Sequence, residues 1–286
     1  MVSESKPEGF LASNEFLIRR LHSLSGLIPV GAYMCVHLLT NASVMSGAAS
    51  FQRNVNMIHS LDKALPVVEW VFIFIPILFH AIFGFVIIGG GLQNTSSYPL
   101  QKNWRYTLQR WTGGIAFLFI VGHVFHLHGW VHSFAEPLGG ANFKAYNATS
   151  SLALALRGAI PIAFYSVGIV ACVYHLANGL WTMGITWGVW TSPTAQKRAD
   201  KVCIGFGVAL LLVGITALYG AVTTDVKAAL EVEQKMLDQH VGDLPHYKHY
   251  SKEELETLFK QYSKEELETV SDELSNNVIG GATETD

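Results

Sequence analysis

Charge is scarce in this chain: of 286 residues only 14% are Asp, Glu, Lys or Arg, while half are hydrophobic. A soluble domain carries about 25% charged residues, so the composition and the positive mean hydropathy describe a membrane protein and exclude one large soluble core. Cysteine is scarcer still. Cys35, Cys172 and Cys203 all lie in apolar runs, which leaves no disulfide framework and no zinc spacing, and a buried Cys most often acts as a small hydrophobe. No Cys-x-x-Cys-His occurs, so covalent attachment of a haem is excluded. A glycine-rich turn after a strand pattern is also missing, which argues against a flavin or nicotinamide site on this chain. Paired carboxylates inside the apolar runs are absent too, Glu69 being the one acidic residue near them, whereas a proton-relay transporter needs such pairs.

What is present is long hydrophobic runs. Five are long enough to cross roughly 30 Å of hydrocarbon at about 20 residues each: Leu24 to Val44, Val67 to Leu92, Trp111 to Val131, Ala159 to Trp187 and Val202 to Val222. The expected fold is all-α, an integral membrane five-helix bundle. Glu4, Glu8 and Glu15 precede the first run and no small-residue cleavage site follows it, so no removable signal peptide is expected. Nine basic residues flank one side of the spans, Lys6, Arg19, Arg20, Lys102, Arg105, Arg110, Lys197, Arg198 and Lys201, against Arg53, Lys63, Lys144 and Arg157 on the other. That excess places the N terminus in the cytoplasm and, after five crossings, the C terminus outside.

The chain divides by charge into residues 1–224, the transmembrane unit, and an acidic C-terminal extension, 225–286. The extension holds 15 acidic and 6 basic residues, and the part before it 7 acidic and 13 basic. It repeats YSKEELET at Tyr250 to Thr257 and Tyr262 to Thr269, each copy opening on a capping box, Ser251 with Glu254 and Ser263 with Glu266. A 12-residue step turns about 120° around a helix, so the copies would not share one face. A solvated, partly disordered appendage is expected, with a docking element for a partner as the alternative.

Four of the five apolar runs carry a histidine near the midpoint: His37, His80, His123 and His175. An imidazole is costly in a bilayer interior and usually functional there. Helices facing each other across a porphyrin can each offer one neutral imidazole to the iron, so four histidines suffice for two non-covalent bis-histidine haems. A single intramembrane His is as well explained by a hydrogen bond to a neighbouring helix. Four on four helices fit that bland explanation poorly. With the N terminus inside, His37 and His123 lie slightly outward of His80 and His175, by only about 3 to 8 Å at 1.5 Å per residue, no more than the slack in the span ends. Gly84 and Gly179 each follow His80 and His175 by four residues, where a bare backbone lets a flat macrocycle approach. Asn41 and Leu127 do not repeat this after His37 and His123, so His80 with His175 and His37 with His123 is the favoured pairing.

Other polar residues are weaker candidates. His126, His128 and His132 crowd the outer end of the third run, and of these only His126 competes as a ligand. His240, His246 and His249 read as tail surface. Arg19, Arg20 and Arg110 stand at cytoplasmic helix ends, as haem-propionate partners or as ordinary positive-inside anchors. His22 and Ser25, one turn apart, are candidates for a propionate or a quinone carbonyl, with helix-end packing as the alternative. Glu69 and His59 are candidates for proton delivery at an outer quinone site. Pro76, one turn before His80, should kink that helix.

The strings RRLHSLSGLIPVGAYMCVH (Arg19 to His37), FHAIFG (Phe79 to Gly84), LQRWTGGIAFLFIVGHV (Leu108 to Val124) and YHLANGLW (Tyr174 to Trp181) resemble the di-haem cytochrome b membrane anchor of succinate dehydrogenases and fumarate reductases. The likeness runs from about Asn14 to Val222 and leaves out the tail. It implies an outer haem on His37 and His123 and an inner one on His80 and His175. It also implies a membrane quinone, often menaquinone, as electron acceptor, and a bacterial cytoplasmic membrane. The implied partners are a flavoprotein and an iron-sulfur subunit on the cytoplasmic side, which would hold FAD and the clusters. No dicarboxylate active site is expected on this chain, and no nucleic acid among its partners. The rival readings are a haem anchor for another dehydrogenase, such as a hydrogenase or formate dehydrogenase, a histidine proton-relay transporter, and an anchor with degenerate haem sites.

Overall fold

The computed structural model describes residues 13–89, 101–129 and 132–239; the duplicated YSKEELET segments and their capping boxes lie outside them. Among the described residues there is no strand, and five helices are long and apolar enough to cross a membrane: α1 (Glu15–Ser46), α3 (Asp62–Gly89), α4 (Asn103–His128), α6 (Ala159–Thr186) and α7 (Pro193–Thr223). Between and after them lie α2 (Ala48–His59), α5 (Ala148–Ala155) and α8 (Val226–Gln239). The all-α membrane bundle expected from the composition is the fold found.

Several spans run well beyond their apolar stretches. α4 starts at Asn103 rather than Trp111, and α7 at Pro193 rather than Val202. Hydropathy marks the part of a helix that lies in lipid; the backbone ladder continues into polar sequence wherever capping and packing allow. The Ser192 hydroxyl caps α7 by accepting from the Ala195 amide, with Pro193 at the first helical position. α1 is interrupted at Ile28, whose extended backbone (φ −128°, ψ 111°) precedes Pro29, as the ring of a following proline favours. In α3 the departure from regular helix is a wide turn over Trp70–Phe74, directly before Pro76. Pro76 cannot donate to the preceding turn, so the ladder loosens there.

α6 packs against both α4 and α7, α7 also against α1, and the first turns of α1 against α3. Ile169, Val173 and Leu176 of α6 meet Leu210 of α7, with Met34, Cys35 and Leu38 of α1 packed alongside. The opposite faces carry large exposed hydrophobics, Phe72, Ile75, Leu78, Ile82 and Phe85 on α3 and Ile204, Val208, Leu212 and Ile215 on α7. Spaced three to four residues apart, they form continuous apolar stripes, the surface a helix presents to lipid.

The segments reached after one, three and five crossings, α2, α5 and α8, gather at one end. The first amides of α5 are capped by side chains from the other two: Ala148 N–H donates to Gln52 Oε1 (2.9 Å), Thr149 N–H to Glu233 Oε1 (2.5 Å), and the Ser150 hydroxyl to Glu233 Oε2 (2.6 Å). Glu233 has no exposed surface, and Val226, Ala229 and Leu230 on its face of α8 are also buried. The acidic segment, expected to be solvated, therefore opens with a packed amphipathic helix. Its charge average hid one apolar face carrying a single carboxylate. Burial pushes the Glu233 carboxyl above its ordinary value, although hydrogen bonds from Ser150 and Thr149 pull it down.

Candidate functional site

Two histidine pairs stand inside the bundle, each drawn from two helices. The His37 ring of α1 faces the His123 ring of α4 at 5.7 Å between centroids, with planes 81° apart. The His80 ring of α3 faces His175 of α6 at 6.0 Å and 84°. Two imidazole–metal bonds of about 2 Å each, with the ring radii added, put two axial rings roughly 6 Å apart between centroids. The pairing favoured by the sequence is thus the one that the packing brings together.

Second partners fix these rings. His80 Nδ1 donates to the His22 carbonyl oxygen (2.8 Å) and His175 Nδ1 to the Gln109 carbonyl (3.1 Å). Committing Nδ1 to a carbonyl leaves the Nε2 lone pair for a metal, the tautomer that a ligating imidazole needs. In the other pair His123 Nδ1 is 3.3 Å from the Tyr165 hydroxyl, which is also 3.1 Å from His126 Nδ1. One phenol can accept from the first and donate to the second. His126 thus contacts the pair through Tyr165. The His37 Nε2 has Asn41 Nδ2 at 3.4 Å.

The two pairs lie at different levels. On α4, Gly113 and Gln109 meet His175, ten and fourteen residues before His123, so the pairs are about 15 to 21 Å apart along that helix. This exceeds the few ångströms implied by depth within the apolar runs, because those runs stop short of the true helix ends.

Glycines let the helices close on the His80 and His175 rings, at positions other than those singled out by spacing. A Cβ at Gly26 would overlap the His80 ring, and one at Gly113 would come within 2.9 Å of His175 Cε1. Gly84 faces His22 instead, and Gly179 faces Gln109. The sequence signal for Gly26 and Gly113 was present in LSGLIPVG and WTGG, but nothing local says which ring they would meet.

The His22 ring stacks on His80 (4.0 Å, 9°), and its Nδ1 is buried without a hydrogen-bond partner. Ser25 donates to the same His22 carbonyl that His80 uses (3.0 Å). Arg19 is held by Glu15 on an exposed face (2.8 Å), Arg20 lies over Phe16 and Trp187, and Arg110 over Tyr106. At the other end Glu69 Oε2 is 3.8 Å from His128 Nε2, while the His59 ring bonds the Val55 carbonyl of its own helix (3.1 Å). Among the described residues no group of three or more His, Cys, Asp or Glu is placed to hold a metal ion. A porphyrin iron would bring four nitrogens of its own and take two further ligands, the number each pair would offer.

No protein-family model matches the chain. The succinate dehydrogenase cytochrome b558 subunit of Bacillus subtilis (strain 168) is 34% identical over 212 residues, which are 73% of this chain and 98% of that relative. The chain belongs to the succinate dehydrogenase cytochrome b subunit family. In this chain four intramembrane imidazoles stand in two facing pairs. About a quarter of this cytochrome b family member lies outside the match.

Proposed function

We propose that the chain is the membrane-anchor subunit of a succinate:quinone oxidoreductase. In this reading it binds two haem b groups non-covalently, on His37 with His123 and on His80 with His175. The carrying observation is the pair of facing, near-perpendicular histidine couples from four different spans, with the Nδ1 atoms of His80 and His175 tied to backbone carbonyls. Bound there, the haems supply one-electron transfer between partner subunits and a membrane quinone. The chain's part is to hold the imidazoles in one tautomer, keep water out and set the local field.

In the orientation given by the basic loops, the His80 pair is the inner site. A flavoprotein that oxidises succinate and an iron-sulfur subunit dock at the cytoplasmic end beside it. The His37 pair, with Glu69, His128 and His126 close by, is the outer site, and α2, α5 and α8 cover that end. Quinone reduction there takes up protons, for which Glu69 and His59 are the candidates, and the resemblance points to menaquinone. Charge moved through the membrane field costs or yields about 2.3 kcal/mol per 100 mV for a full crossing, so two haem levels tie the reaction to the membrane potential.

The test is a dithionite-reduced minus oxidised spectrum of the detergent-purified chain, with haem counted against protein as pyridine haemochrome. Two b-type haems per chain are expected, and none would end the reading. Copurification of a flavoprotein with succinate:quinone activity separates it from an anchor for a hydrogenase or formate dehydrogenase.

Tyr165→Phe removes the hydroxyl shared by His123 and His126. Loss of an outer partner of this kind weakens metal holding by about 10- to 100-fold. The variant is expected to lose outer haem during purification while keeping the inner one, read as a haem-to-protein ratio falling from two towards one.

A further inference from the structure

A chain of polar contacts crosses the bundle beside His175 and ends in a charge pair that the electron-transfer reading does not use. Arg105 of α4 donates through Nη1 to Asp200 Oδ1 of α7 (2.5 Å) and through Nε to Asn178 Oδ1 of α6 (2.8 Å). Asn178 Nδ2 donates to Gln109 Oε1 (2.7 Å), and Gln109 Nε2 to the His175 carbonyl (3.1 Å). The Gln109 backbone carbonyl in turn takes the His175 Nδ1 proton. The guanidinium also lies 3.9 Å over the Trp181 ring, and Asn178 is 4% exposed.

The spacing explains the geometry. Arg105 and Gln109 are one turn apart on α4, and His175 and Asn178 one turn apart on α6, so two faces meet residue by residue. Each side chain is engaged on both sides: Asn178 accepts from Arg105 and donates to Gln109, and Gln109 accepts from Asn178 and donates to the His175 carbonyl. A satisfied, part-buried polar network of this kind fixes one packing. Arg, with a planar fork of donors, can serve a carboxylate and an amide at once, which a Lys cannot copy.

We infer that Arg105 and Asp200 are positioning and tuning residues for the His80–His175 site: through Asn178 and Gln109 they hold the α6 backbone at His175, and as a neutralised pair they set the reduction potential there. This rests on the proposal that those histidines ligate a haem. Two functions are separable. The hydrogen bonds set ring placement, and the charges set the field, because the ferric form carries one more positive charge than the ferrous form. Arg105 stands about two helical turns, roughly 10 Å, from the site. At that distance, with an effective dielectric constant of about 20, one uncompensated charge alters a one-electron equilibrium on the order of tenfold.

The experiment is a spectroscopic redox titration of the full complex carrying Asp200→Asn, Arg105→Gln, Arg105→Lys or the double variant. Asp200→Asn leaves the guanidinium uncompensated and should favour the reduced inner haem about tenfold, a rise of about 59 mV for one electron. Arg105→Gln leaves the carboxylate uncompensated and should shift it about as far the other way. The double variant should return close to wild type, and Arg105→Lys should move the potential less than Arg105→Gln while broadening the inner haem's spectrum. The outer haem should not move. Loosened packing would not produce opposite signs that cancel. If Arg105→Gln cannot be assembled, the rise in Asp200→Asn and its cancellation in the double variant carry the test.

Equal-sign shifts, movement of both haems together, or no shift would overturn the inference. A His175→Ala control separates the two claims. If it keeps both haems, the ligand assignment falls and this inference with it. If it loses one haem while the Arg105 and Asp200 variants stay unshifted, only the tuning role is wrong.

Discussion

His175→Ala is expected to bring haem content from two per chain to one and to cut succinate:quinone electron transfer by more than 100-fold, with the chain still inserted in the membrane. Loss of an outer-shell partner alone costs about 10- to 100-fold in metal holding, and removal of the axial ligand itself should exceed that. His175 is the better test of its pair because the side chain bonded beside it is Gln109, whose amide does not ligate. His80→Ala is less clean, since the His22 ring is stacked on His80 at 4.0 Å and stands ready as a substitute. His22→Ala in an otherwise native chain should leave two haems. Pyridine haemochrome counts and low-temperature difference spectra distinguish these variants. Two retained haems in His175→Ala would remove the basis for the inner site.

The helices and the four ligand candidates could be read from the sequence for one reason: lipid punishes polarity, so a histidine inside an apolar run stands out. The glycine spacings that favoured pairing His37 with His123 and His80 with His175 rested on a premise the packing does not share, since Gly84 faces His22 and Gly179 faces Gln109. What hydropathy could not supply was contact between helices. Gln109, Asn178 and Arg105 look like ordinary polar residues at a helix end until α4, α6 and α7 are packed, and they then connect to His175. Tyr165 reads as one more aromatic in a membrane span, yet its hydroxyl lies between two histidines. Arg19, a propionate candidate by its position, pairs on an exposed face with Glu15 one turn earlier. Charged residues continue α4 and α7 past their apolar runs, so the level difference between the two histidine pairs exceeds what the runs alone imply.

Glu233→Ala is the stability prediction with the largest effect, and it concerns a residue whose position in an acidic segment suggested solvent. Its carboxylate takes the Thr149 amide, the Ser150 amide and the Ser150 hydroxyl, in a place with no exposed surface. Alanine leaves the two amides, which Glu233 caps, buried and unmatched at about 1 to 3 kcal/mol each. Local undocking of α8 from α5 is therefore expected, read as faster hydrogen exchange at Thr149 and Ser150 and protease cleavage within Val226–Gln239. Because Leu152 of α5 and Leu156 just after it pack in one cluster with Leu127 and Tyr165, the His37–His123 site should become wetter, and its haem signal should broaden before that of the inner site. The pH dependence has a definite sign. A carboxyl raised by burial holds its proton to higher pH when folded than when unfolded, so docking weakens as pH rises from the ordinary glutamate value through the raised one. Glu233→Gln, which keeps an acceptor but cannot ionise, should dock with no such dependence. Unchanged exchange at Thr149 and Ser150 in the alanine variant would show that α8 is held by Val226, Ala229 and Leu230 alone.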